Sequence, residues 1–190
     1  MKTPVVENRT RPLPDERQLV EQAKSGDTEA FAQLYDASMA RVYRYVFFRV
    51  SDQQTAEDLT SQVFLKAWEK LDSYRPKGPF LSWLYAIARN TVIDHYRTQK
   101  QTVSLEDAGP LVADIDGLED VMEFHFEMKS VQAAMQQLTG EQQEVLILRF
   151  IADYDTDEIA RRMDKSQGAV RALQMRALQA LAKVIDVNEQ

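Results

Sequence analysis

Proline stands at only six positions of this chain, 4, 12, 14, 76, 79 and 110, and no other feature limits its fold as strongly. A proline inside a helix removes a hydrogen bond and adds a steric clash. The long proline-free blocks can therefore be helical, and both carry apolar residues at spacings of three and four. In the first block Phe31, Leu34, Tyr35, Val42, Tyr45 and Val46 mark a long helix, or a bent pair, beginning after Asp27. Ala56, Leu59, Val63, Ala67 and Leu71, broadened by Phe64 and Trp68, mark a second helix from about Gln54 to Leu71. Pro76 and Gly78 break the loop DSYRPKG that follows. Pro79 stands where a helix start accepts proline, and Phe80, Leu84, Ile87 and Ala88 carry a third helix to about Arg97. No strand-period alternation, internal repeat or phosphate-binding glycine loop is found, so the expected fold class is all-α, with two small helical domains.

In the second block Met128, Val131, Ala134, Met135 and Leu138 define a helix, and Thr139 with Gln142 restarts another in capping-box spacing, carrying Val145, Leu146, Leu148 and Ile151. It leads into DTDEIARRMDKSQGAVRALQMRALQALAKV, Asp155 to Val184. Asp155 with Glu158 makes one helix start and Ser166 a second. Ile159, Ala160 and Met163 fall on one face, and Val170, Leu173, Ala177, Leu181 and Val184 continue the apolar stripe. Two short helices joined by a tight turn form the pattern of a helix-turn-helix. The opposite face of the second helix offers Gln167, Arg171, Gln174, Met175 and Arg176. Arg and Gln can each form paired hydrogen bonds to base edges, and a helix start at Ser166, Gln167 and Gly168 lets backbone amides approach phosphate. Taken alone, the motif also fits an ordinary helical hairpin with a solvated basic face.

A net charge of −7 argues against nucleic acid only until it is partitioned. Residues 101–137 carry one basic and eight acidic side chains, a net −7 equal to that of the whole chain. The acidity marks a connecting segment with Gly109, Pro110 and Gly117, expected as a flexible acidic linker over 101–127. Residues 1–26, with three prolines and little apolar content, are expected to be a disordered arm. The two domains are expected over 27–100 and 128–187. With no cysteine, no apolar run of membrane-spanning length and no signal-peptide core, the chain reads as soluble and cytoplasmic, without membrane insertion.

Catalysis finds no support. The only histidines, His95 and His125, lack a second metal ligand at a suitable spacing, so neither a metal nor a cofactor is expected. Asp94 cannot face His95, because adjacent helical residues point about 100° apart. Paired acids such as Glu57 and Asp58 suit a solvated helix face. The segment from Ser73 to Arg97 is more informative: Tyr74, Trp83, Tyr85 and Tyr96 are interleaved with Arg75, Lys77, Arg89 and Arg97. Unpaired DNA requires flat faces for its bases and cations for its backbone. Trp83 and Tyr85 could equally be core residues of a bundle, while Arg89, Asn90 and Arg97 lie off the apolar stripe, as Tyr85 largely does.

The run TAEDLTSQVFLKAWEKLDSYRPKGPFLSWLYAIARNTVIDHYR (Thr55 to Arg97), followed after an acidic linker by LTGEQQEVLILRFIADYDTDEIARRMDKSQGAVRALQMRAL (Leu138 to Leu178), resembles bacterial RNA polymerase sigma factors of the extracytoplasmic-function class in the sigma-70 family. The resemblance covers about Asp27 to Val184. It implies a subunit that binds core RNA polymerase, through the largest and second-largest subunits, and directs promoter-specific initiation without being an enzyme. The helix bearing Asp58, Gln62, Leu65, Lys66 and Glu69 then corresponds to the polymerase-binding helix. Tyr74, Arg75, Lys77, Trp83, Tyr85, Arg89, Asn90 and Arg97 correspond to the element that melts and reads the minus-ten sequence. Ser166, Gln167, Gly168, Arg171, Gln174, Met175 and Arg176 correspond to the reader of the minus-thirty-five element. The acidic linker matches the segment threaded through the polymerase channels, and an anti-sigma factor is an implied partner. Where many relatives begin the reading helix with Gly-Thr-Val-Lys-Ser-Arg, this chain has Gly168, Ala169, Val170, Arg171, Ala172 and Leu173, with an apolar residue at one basic position. The promoter sequence is therefore not implied. The rival interpretations are an autonomous helix-turn-helix regulator and a helical adaptor that binds only proteins.

Overall fold

A computed structural model describes residues 15–75, 78–102 and 128–188. They form helices α1 (Glu16–Lys24), α2 (Thr28–Phe47), α3 (Gln53–Glu69) and α4 (Phe80–Thr102), with a 3-10 turn at Leu71–Ser73. The second half holds α5 (residues 128–135), α6 (Gly140–Leu146), which runs on as a π turn over Ile147–Ile151, α7 (Thr156–Met163) and α8 (Gln167–Asn188). No strand occurs among the described residues.

Local chemistry sets these boundaries. Asp27 accepts from the amides of Glu29 and Ala30, Asp52 from Thr55, Asp155 from Glu158 and Ser166 from Ala169, each supplying an acceptor that the first turn lacks. Thr139 and Gln142 exchange both bonds of a capping box. α1 ends in a pair of reversed bonds, Gly26 N–H to Ala23 O and Asp27 N–H to Gln22 O, with Gly26 at φ +96°. α7 ends at Asp164, also left-handed at φ 52°, which makes the tight turn into α8.

α2, α3 and α4 pack as a bundle, with Leu34, Val42, Val46, Val63, Leu84 and Ala88 fully buried between them. α1 lies along α2 and buries Val20 and Ala23. The expected disordered arm is corrected here over 15–26: this segment is ordered because two apolar side chains three residues apart find the α2 surface. Residues 1–14 of that arm lie outside the described residues. In the second half α6 and α7 pack against α8, burying Val145, Ile159, Val170 and Ala177 completely.

The two halves share one core. Gln132 Nε2 donates to Phe47 O at 2.9 Å and Val50 O at 3.1 Å, and Gln136 Nε2 donates to Val50 O at 2.9 Å. These glutamines satisfy carbonyls at and just beyond the C-terminus of α2, which has no further turn to bond them. Arg49 Nη2 meets Glu144 Oε2 at 2.6 Å, with both side chains largely buried. The two expected helical domains are present, and they close on each other. The expected linker begins inside α4, at residues 101 and 102, and its remainder, 103–127, lies outside the described residues.

Candidate nucleic-acid interface

α8 presents its apolar stripe to the second-half core and leaves the other side to solvent. Val170 and Leu173 are buried, while Gln167, Gly168, Arg171, Met175 and Arg176 are exposed and Gln174 is half-buried. Met175, at 61% exposure, is the most solvent-open large apolar side chain here and has no packing reason to be apolar. Gln167 donates to Asp157 across the turn, and Arg171 Nη2 lies 3.5 Å from Gln167 Oε1. Arg176 Nε reaches back to Ala172 O at 3.3 Å. The result is a convex helix face with two guanidinium groups and two amide side chains, the donor and acceptor set that major-groove base edges accept.

α3 places Gln62, Leu65 and Glu69 on its open face, with Asp58 and Lys66 half-buried at its margins. Leu65 is 59% exposed. Gln54 Nε2 donates to Asp58 Oδ1 at 3.3 Å, and Lys66 Nζ donates to Thr91 Oγ1 at 3.2 Å, tying this face to α4. Trp68 is less inward than its spacing predicts: it stands partly exposed at the rim, edge-on to Phe31 at 4.8 Å.

The aromatic and basic segment divides into two groups. Arg75 is exposed, its Nη1 bonded to Asp72 O at 2.8 Å. Trp83 is half-buried, Arg89 and Asn90 are exposed, and Arg97 is exposed with Asp94 at 3.1 Å. Lys77 lies outside the described residues. Tyr74, expected as an open stacking face, is corrected, and Tyr85 takes the core position that stood as its alternative: both are buried, at 4% and 2% exposure. Tyr74 is packed against Phe80 at 5.5 Å and Trp83 at 5.2 Å, and its hydroxyl donates to Gly78 O at 2.8 Å. Tyr85 stacks on Tyr45 at 4.7 Å, meets the edge of Tyr154 at 6.3 Å and donates to Ile151 O at 3.4 Å. Burial pushes the Tyr74 hydroxyl above its ordinary value, with Glu16 adding to the effect, and pushes that of Tyr85 up further, with Tyr154 adding. Glu144 of the second half sits 3.9 Å from Arg89, so part of the cationic face is already met by a carboxylate.

Two features escaped the sequence. Phe150 and Leu178 are exposed apolar residues beside a groove of about 170 Å³ lined also by Val131, Met135, Leu146 and Leu181. Phe150 lies within the π turn at Ile147–Ile151, an irregularity that no spacing rule for a regular helix anticipates. Second, α1 bonds to both sides of the turn leading into α4, through Glu16 and Lys24. Among the described residues no helix is long and apolar enough to cross a membrane.

Residues 34–102 match the family model described as Sigma-70 region 2, and residues 134–183 match that described as Sigma-70, region 4. The chain is similar to the ECF RNA polymerase sigma factor BldN of Streptomyces coelicolor, 36% identical over 171 residues that span 88% of this chain and 65% of BldN. It is also similar to the ECF RNA polymerase sigma factor SigX of Bacillus subtilis, 30% identical over 166 residues, 84% of this chain and 85% of that one. The structure of CnrH in complex with the cytosolic domain of CnrY shares the fold, with a TM-score of 0.66 at 24% identity, covering 92% of this chain and 99% of CnrH.

Proposed function

This chain belongs to the extracytoplasmic-function class of the sigma-70 family of RNA polymerase sigma factors, and we propose that it binds core RNA polymerase and directs initiation at specific promoters. As a sigma factor it is a transcription initiation factor and not an enzyme. The observation that carries the proposal is the presence of both sigma regions, in order, in one chain. The division of labour among surfaces follows from the exposed residues of each region.

The open face of α3, with Leu65 at its centre and Asp58, Gln62, Lys66 and Glu69 around it, takes the largest polymerase subunit. An exposed leucine ringed by polar groups supports this role, since burying it on association is favourable and costs the free chain nothing in packing. The groove beside Phe150 and Leu178 takes the second-largest subunit on the same apolar logic. Arg75, Trp83, Arg89, Asn90 and Arg97, with Lys77, line the minus-ten strand, and Tyr74 and Tyr85 support that surface from beneath. Ser166, Gln167, Gly168, Arg171, Gln174, Met175 and Arg176 meet the minus-thirty-five duplex. The domain limits proposed are 27–100 and 128–187, with the acidic segment 101–127 passing between them through the polymerase. No observation favours an autonomous regulator.

Two substitutions separate these roles. Leu65→Asp is expected to weaken binding to core polymerase at least tenfold while leaving the melting temperature unchanged. Met175→Asp is expected to leave core binding intact and abolish promoter selection. Equal core binding by both variants and the wild type would remove α3 from the role given to it. An anti-sigma factor, acting in the cytoplasm and covering the α3 face, is the further partner proposed; co-purification from the native cell is expected to yield polymerase and inhibitor in separate complexes, and recovery of polymerase alone would count against the inhibitor.

A further inference from the structure

α1 lies before the residues matched by the region 2 model, which begin at 34, and the surfaces assigned above give it no role. It nevertheless holds both ends of the turn that feeds the minus-ten surface. At one end, Lys24 Nζ donates to Tyr74 O at 3.0 Å and lies 5.8 Å from the Tyr74 ring centre. At the other, Glu16 Oε1 accepts from the amide of Phe80, the first residue of α4, at 2.9 Å.

The sequence around Pro79 explains why the second bond is needed. The first amides of a helix lack partners within it, and an Asp, Asn, Ser or Thr just before the helix usually supplies an acceptor. Here that position is proline and the one before it glycine, so no local side chain can do so. A carboxylate 64 residues away supplies it instead. Glu16 and Lys24 are eight residues apart on α1, about 12 Å at the helical rise, which makes the helix a fixed spacer between Tyr74 and Phe80. Between these points the Tyr74 hydroxyl bonds Gly78 O, and the Tyr74 ring supports Trp83. Arg75 bonds back to Tyr74 O, the carbonyl that Lys24 holds. Arg75 and Trp83 are thus connected, through Tyr74 and Phe80, to two side chains of α1.

We propose that Glu16 and Lys24 are positioning residues for promoter opening: α1 sets the spacing between Tyr74 and the start of α4, and so the pose in which Arg75 and Trp83 meet the unpaired strand. The proposal rests on the initiation role given above. Neither residue touches DNA.

The test uses the full-length chain, core polymerase and a promoter recovered by mapping the 5′ ends of RNA that the wild type initiates on genomic DNA. Open complexes are counted by permanganate reactivity of unpaired thymines, alongside core affinity and melting temperature. Glu16→Ala and Lys24→Met are expected to bind core as the wild type does yet form about tenfold fewer open complexes, the size of effect that loss of one charge-assisted bond gives. Glu16→Gln, whose amide oxygen still accepts from Phe80, is expected to restore most of the loss. Val20→Ala, which removes buried methyl groups from the same helix, is expected to lower the melting temperature and leave opening by the folded protein unchanged. Normal opening by Glu16→Ala, failure of Glu16→Gln to restore it, or an equal loss in Val20→Ala would overturn the proposal. Absence of any promoter-specific product with the wild type would instead overturn the initiation role itself, and the inference with it.

Discussion

Tyr45, Tyr85 and Tyr154 share one buried volume at the junction of the halves, and Arg49 lies 4.3 Å from the Tyr45 ring centre. Burial disfavours the phenolate, pushing Tyr45 up to about 12 and raising Tyr85 as well. In the unfolded chain these hydroxyls ionise near the ordinary value of 10.0. The folded state therefore retains protons that the unfolded state releases, so this stability is fully present below pH 10 and is lost as pH rises above it. Tyr85→Phe is expected to make the fall in unfolding free energy above pH 10 shallower by one proton, about 1.36 kcal/mol per pH unit. Urea unfolding at pH 9 to 11.5 would check it, and identical slopes for variant and wild type would contradict the burial of Tyr85. That burial was not legible from residue spacing. Tyr85 lies largely off the apolar stripe of its own helix, and besides Tyr45 the partners that cover it, Ile151 and Tyr154, come more than 60 residues later. Arg171 and Arg176 were legible, because α8 buries one stripe and nothing in the described residues covers the other.

At the scale of elements, starts were easier to read than ends or irregularities. Thr139, Asp155 and Ser166, each read as a helix start, cap the helices that follow them, since a short side-chain oxygen before an apolar-periodic run is a local signal; Asp52 caps α3 in the same way. Asp52 shows the chemistry: burial alone would raise its carboxyl, but bonds from Thr55 and Ser51, with the field of His95, together hold it below its ordinary value. α1 went unread because it shows only Val20 and Ala23 as inward residues and follows a proline-rich stretch. The π turn at 147–151 went unread because one widened turn leaves no mark in an apolar stripe. Asp155 governs the helix-turn-helix most directly, as α7 has eight residues and cannot persist alone. Asp155→Ala is expected to cost about 1 kcal/mol in unfolding free energy, and Asp155→Asn only a few tenths. Denaturant unfolding measures both; equal losses would mean that the cap is not the source.

For the whole molecule, the order of two sigma regions was legible and their closure was not. Each region carries its own periodic core, but Gln132, Gln136 and Glu144 look like surface polar residues until Phe47, Val50 and Arg49 are set against them. Closure has a consequence for the proposed work. A minus-ten and a minus-thirty-five element lie about 25 base pairs apart, or about 85 Å at the 3.4 Å step of B-form DNA. In the proposed role, reading both at once requires the halves to part, which separates Arg89 from Glu144. The contacts that close the chain include hydrogen bonds and ion pairs beside the shared apolar core, and the polar ones can be exchanged for polymerase and DNA at modest cost. Transcription of genomic DNA by core RNA polymerase, alone and with the full-length chain added, with RNA 5′ ends mapped, tests the central claim most directly. The expected result is a discrete set of start sites that appears only when the chain is present, together with its co-elution with core enzyme. An unchanged pattern of starts and no association with core enzyme would contradict it.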